Sequence, residues 1–286
     1  MNILDIIDEI EKADDTITER LSPRRQAMKD FYGFGSKIAL ASLPFALGSM
    51  FKKAYGRQTS STVLNVLNFA LTLEYLEAEF YTQAVARGTA LIPAGAATGA
   101  ITTIRDHENQ HVAFLRTAIT QAGGTPVPKP TFDFSGGNGS GNGPYKDAFS
   151  NYGLFLAVAQ TFEDTGVRAY KGQAGDLLGS GGVLEAALNI HSVEARHAAH
   201  IRRMRRANGA LVPSGVVVKP WITENQSGIA DAGVQPSYNG EEVKSQAGIG
   251  IQNINGQNVS AAAASEAFDE PLTKEQILAI VDPFIV

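Results

Sequence analysis

Two Glu-x-x-His units stand in this chain, Glu108 with His111 inside DHENQH and Glu194 with His197 inside HSVEARH. Both fall where the local apolar spacing calls for core residues. Residues three apart project from the same side of a helix, so each unit offers one carboxylate and one imidazole to a common point. Glu74 and Glu163 interrupt two further apolar stripes in the same way. Four carboxylates converging in an apolar interior are costly unless positive charge meets them, and no lysine or arginine occupies an inward position of these stripes. Two divalent cations would supply that charge. A set rich in oxygen with some nitrogen suits iron or manganese better than copper or tetrahedral zinc.

The elements that must hold these residues are helical. The run STVLNVLNFALTLEYLEAEFYTQAVARG predicts one long helix from Ser61, with Thr59 or Ser60 to cap it and Gly88 to end it. A second helix is expected from about Gly99 to Gln121, before Gly123-Gly124, a third from about Tyr145 to Lys171, and a fourth from about Gly182 to Ala207. The inward series are Leu67, Leu71, Glu74, Ala78, Tyr81, Val85; Ile101, Ile104, Glu108, His111, Leu115, Ala118; Phe149, Tyr152, Leu156, Ala159, Glu163, Gly166, Tyr170; and Ala187, Ile190, Glu194, His197, Ile201, Met204. Four such helices are most simply buried as an all-α four-helix bundle. Thr125 to Pro144, rich in Gly, Pro, Asn and Ser, reads as a long crossover that forms no packed element of its own.

Glu74 is followed seven residues on by Tyr81, Glu163 seven residues on by Tyr170, and each pair precedes one Glu-x-x-His. The bundle therefore reads as two copies of one helix hairpin. Glu77, about 60° around the helix from Glu74, is either an extra ligand or a partly exposed surface glutamate. His107, His191 and His200 lie off the ligand faces and read as histidines beside the site or at helix interfaces. Tyr81 and Tyr170 are placed to hydrogen-bond towards the site, or serve as ordinary core tyrosines. RRMRRAN, Arg202 to Asn208, reads as the solvated end of the fourth helix.

With NFALTLEYLEAEFY as its most telling segment, the chain resembles the ferritin-like superfamily, in the branch of ferritin-like domain or desiccation-related proteins. The ending EAFDEPLTKEQILAIVDPFI also resembles this branch. The resemblance implies a carboxylate-bridged di-metal site on Glu74, Glu108, His111, Glu163, Glu194 and His197, with iron or manganese as the metals. The ligand assignment leans on the known pattern of one Glu from each of two helices and Glu-x-x-His from each of the other two. Members of the superfamily include ferroxidases, peroxidases, oxygenases and manganese catalases. Cysteine is absent, so there is no rubredoxin-type centre to deliver electrons within the chain.

Composition limits the remaining classes. With 24 basic and 29 acidic side chains the net charge is -5, which gives no support for general nucleic-acid binding. Residues 1–58 are expected to form an N-terminal helical segment, beginning with an amphipathic helix on Ile3, Ile6, Ile7 and Ile10. Arg24-Arg25 before the apolar Ile38 to Met50 resembles a degenerate twin-arginine signal, which would make the protein exported or periplasmic; otherwise it is cytoplasmic. The apolar stretch is too short to span a bilayer. Residues 59–208 are the expected ferritin-like bundle, and 209–286 an extended arm with a hairpin around Gly248 to Val259 and a short C-terminal helix capped by Thr273. Two functions follow: a redox centre that oxidises ferrous ion or consumes oxygen or peroxide in stress protection, and a structural or assembly protein whose metals act as a clamp. A homo-oligomer through the bundle faces or the arm is the expected assembly.

Overall fold

A computed structural model describes residues 61–286 of the chain. The expected N-terminal helices, the Arg24-Arg25 segment and the Thr59 or Ser60 cap lie outside the described residues.

Four long helices form the bundle: α1 is Ser61–Arg87, α2 Ala96–Gln121, α3 Tyr152–Gln173 and α4 Gly182–Asn208. α1 pairs with α2 and α3 with α4, as two hairpins. The punctuation follows the backbone chemistry. Gly88 and Gly209 take positive φ, +54° and +73°, where a side chain would be strained, and they end α1 and α4. α3 begins later than the apolar pattern suggests. Tyr145 to Ser150 form turns instead, and the Asn151 side chain caps the helix by accepting from the Leu154 N–H at 3.0 Å.

The inward stripes are buried or half-buried throughout, and the largest core cluster joins all four helices. At the end where α1 stops and α3 starts, Phe80 is ringed by Phe134, Phe149, Phe155 and Phe162, with ring centres 5.1–5.3 Å apart. Phe134 belongs to the crossover, which is therefore better anchored than its composition implies. The Asp133 carboxylate accepts N–H bonds from Ser135, Gly139 and Gly141, and Phe132 bridges to Ile285.

Beyond α4 the chain runs as an arm over the outside of α3. It holds a two-residue antiparallel ladder, β1 Ser245–Gln246 with β2 Ile249–Gly250, turned by Ala247 and Gly248, both at positive φ. This hairpin lies slightly before the expected one. Two short helices follow, α5 Ala261–Ser265 and α6 Lys274–Val281. Thr273 caps α6 in a reciprocal box with Gln276. Ile277, Val281 and Phe284 then enter the main core. Among the described residues, no helix is long and apolar enough to cross a membrane.

The RRMRRAN end of α4 is not simply solvated. Arg202 and Arg205 are buried, whereas Arg203 and Arg206 are exposed. The Arg202 guanidinium grips the Asp164 carboxylate at 3.0 and 2.5 Å, and Arg205 donates to Gln160 and to the carbonyls of Leu211 and Gly228. Arg168 donates to the carbonyls of Ser237, Asn239 and Glu270 and pairs with Glu241 at 2.7 Å. Gln160, Asp164 and Arg168 recur every fourth residue, so they form one stripe on α3, and the arm covers it.

Candidate metal centre

Glu74, Glu108, Glu163 and Glu194 are fully buried, and His111 and His197 nearly so. Each sits midway along its helix, where the small residues Ala78, Ala118, Ala159 and Gly166 occupy inward positions nearby. The six side chains form two groups, Glu74, Glu108, His111 and Glu194, and Glu108, Glu163, Glu194 and His197. In each group one ligand atom per residue lies within 4.8 Å of the others. Glu108 and Glu194, the carboxylates of the two Glu-x-x-His units, belong to both groups.

Both histidines turn Nδ1 inward. His111 Nδ1 lies 3.1 Å from Glu74, 3.0 Å from Glu108 and 3.1 Å from Glu194, and His197 Nδ1 lies 2.7 Å from Glu108 and 3.3 Å from Glu163. Several of these approaches are close without being aligned for hydrogen bonding. Glu108 Oε1, Glu163 Oε2, both Glu194 oxygens and His197 Nδ1 are buried with no hydrogen-bond partner. Such orphans are rare in folded proteins unless something else meets them. Here they all point into one cluster of hard oxygen and imidazole donors, and that donor set fits a pair of divalent cations.

The outer oxygens are held from across the bundle. Tyr81 of α1 donates to Glu163 of α3 at 2.5 Å, and Tyr170 of α3 donates to Glu74 of α1. The equal spacing of Glu and Tyr in the two hairpins thus becomes a reciprocal pair of bonds. His107 extends the site on the far side of His197, with Nδ1 2.9 Å from His197 Nε2. His191 and His200 take no part: His191 is half-buried, with its Nε2 unpaired, and His200 is exposed.

Glu77 is only 3% exposed, so the surface reading is wrong. The hairpin symmetry explains its room. Its counterpart on α3 is Gly166, where a Cβ would stand 3.1 Å from a Glu77 oxygen and 3.4 Å from Glu194. Glycine there admits a fifth carboxylate beside the cluster, although Glu77 belongs to neither group of converging donors.

Electrostatics follow from crowding. Burial raises Glu74 to about 7 despite the nearby His111, and burial together with the neighbouring carboxylates raises Glu77 and Glu194 well above the usual range. Burial also raises Glu163. Burial opposes charge on the imidazoles, yet the carboxylates outweigh it, lifting His197 to about 11 and His111 well upward. Glu108 feels the same burial but is held low by both histidines. Without metal the cluster stays near neutrality by holding protons, which divalent cations would displace.

Two features carried no clear sequence signal. The Tyr bonds could be suspected from spacing, but their crossing between hairpins could not. The buried polar stripe Gln160, Asp164 and Arg168 lies off the inward series of α3, and nothing in its spacing marks the arm that covers it.

The site and its bundle can be set against known proteins. No curated protein matches the chain. The profile of the ferritin-like domain family matches residues 62–207, a span that covers the bundle helices almost end to end and includes every converging Glu and His. With its two hairpins, its two shared Glu-x-x-His carboxylates and this match, the chain belongs to the ferritin-like domain family.

Proposed function

We propose that this protein holds two iron or manganese ions on Glu74, Glu108, His111, Glu163, Glu194 and His197, and oxidises ferrous ion or consumes oxygen or peroxide in stress protection. The observation that carries the reading is the sharing of Glu108 and Glu194 between two groups, in which Glu108 Oε1, Glu163 Oε2, both Glu194 oxygens and His197 Nδ1 lack hydrogen bonds. Bound metal supplies electron exchange, which the Glu, His and Tyr side chains do not provide on their own.

The chain's residues define how the ions are held. Glu108 and Glu194 serve both positions, Glu74 with His111 completes one, and Glu163 with His197 completes the other. Tyr170 and Tyr81 fix the outer oxygens of Glu74 and Glu163, leaving their other oxygens for metal. Glu77, beside Glu194, is a further buried carboxylate that would hold a proton next to the centre or serve as an additional metal ligand. The phenylalanine cluster keeps bulk water from one end of the site. Resemblance to desiccation-related proteins favours protection from oxidants as the physiological use. Exposed Leu178 and Leu188 on the α3–α4 hairpin support self-association.

The test is stopped-flow absorbance of anaerobic metal-loaded protein mixed with oxygen or peroxide, with light scattering run in parallel on wild type, Glu108→Ala and Glu163→Ala. The expected result is oxidant consumption by wild type only, with one mass for all three. If wild type consumes neither oxidant faster than free metal, while the variants lose their oligomer, the centre is a structural clamp.

A further inference from the structure

The two ends of the bundle close over the metal centre differently. Towards Tyr81 the interior is filled by the Phe80 cluster. Towards Tyr170 it is not filled: a cavity lies among α1, α2, α3 and α4, walled by Leu67, Ala70, Leu115, Ile190 and the Tyr170 ring. Leu115 stands four residues beyond His111, and Ile190 four before Glu194, so the cavity sits one turn, roughly 6 Å along the axis, from the converging donors. The space open to the centre of a water-sized sphere is about 20 Å³. That exceeds the roughly 10–15 Å³ that a single water needs, so the space is of the order of one diatomic molecule.

The lining decides which molecule. Tyr170 and Gln173 bring the only polar side chains, and the Tyr170 hydroxyl is committed to Glu74. Water or peroxide entering would give up hydrogen bonds and find almost none in exchange, whereas a nonpolar diatomic loses nothing. The half-buried Ala186 and Ala187 of α4 line the same space, so small side chains border its edge.

We infer that this cavity is a holding site for dioxygen on its way to the Glu74 and His111 side of the centre, with the Tyr170 ring as its floor. The inference rests on the redox reading above and deepens it: dioxygen, rather than peroxide, reaches the centre by this route.

Crystals of the metal-loaded protein pressurised with xenon, a nonpolar probe, should show a xenon atom among Leu67, Leu115, Ile190 and Tyr170. Ala187→Leu, and independently Ala70→Leu from the facing wall, should remove it. Both variants should keep wild-type metal content. In rate measurements against oxygen concentration each should raise the KM for oxygen roughly tenfold while holding kcat at saturation, with the peroxide reaction unmoved. A cavity that stays empty under xenon overturns the inference. So does an unchanged KM in a variant that has lost its xenon site. Loaded wild type that reacts with no oxidant overturns the redox reading instead, and xenon occupancy still reports whether the cavity takes a nonpolar molecule.

Discussion

A carboxylate shared between two positions should matter more than one serving a single position. Glu108 belongs to both groups, Glu74 to one. Glu108→Ala should therefore lose nearly all bound metal, whereas Glu74→Ala should retain about half, as read by elemental analysis after equilibration with manganese. Equal losses from the two variants would contradict the shared arrangement. Proton linkage gives a second prediction at this scale. Glu74 is raised to about 7 by burial, so its stabilising contribution in metal-free protein is fullest below its unfolded value near about 4.3 and is lost as pH rises through about 7. Glu163, Glu77 and Glu194 shift in the same direction. His197, raised to about 11, contributes fully below its unfolded value of about 6.5 and loses that contribution progressively above it, in the same direction, and Glu108, held low, loses its contribution only in acid. The chelated protein should melt at lower temperature at about pH 8 than at about pH 5, and the gain on adding manganese should grow over the same interval. Thermal melts with and without chelator check this; a metal gain that shrinks with rising pH would count against it.

Among the elements, α3 bears the most. One side presents Glu163 and Tyr170 to the centre and the other presents Gln160, Asp164 and Arg168 to the arm, so residues at both faces are buried. Arg202→Met would leave the Asp164 carboxylate buried, with the Tyr238 hydroxyl as its one remaining side-chain donor. Breaking one partner of a buried ion pair costs about 3–5 kcal/mol, far more than the roughly 1 kcal/mol expected for Thr273→Ala at the α6 cap. Urea unfolding should rank the two in that order. Adding Asp164→Leu to Arg202→Met should recover part of the loss, because no charge is then stranded.

For the molecule as a whole, the C-terminus is part of the bundle's interior. Ile277, Val281 and Phe284 lie in the main core, Phe284 stacks on Tyr145, and the Asp133 and Val286 amides bond the Phe284 and Thr131 carbonyls. Three buried side chains at about 1.5–3 kcal/mol each approach the roughly 5–15 kcal/mol that stabilises a typical domain. Removal of residues 273–286 should therefore leave a chain without cooperative unfolding in calorimetry, even with metal added. A truncated protein with a sharp transition near the wild-type temperature would show that the arm is only peripheral.

Local periodicity was enough to place Glu74, Glu108, His111, Glu163, Glu194 and His197 on inward faces, because a helix fixes which residues share a side whatever it packs against. The same regularity marked the two hairpins and the Glu to Tyr spacing. Position around a single helix could not settle Glu77, since its burial depends on a glycine at residue 166 of another helix. Nor could it sort the arginines of RRMRRAN, where charge at a helix end normally means solvent. Arg202 and Arg205 are buried because a distant arm without periodicity lays its carbonyls across them and Asp164 meets one of them from α3. Contacts between segments far apart in sequence leave no period in either one, so the sequence determined the donors and the helices that carry them, while tertiary packing decided what surrounds those donors and where the arm goes.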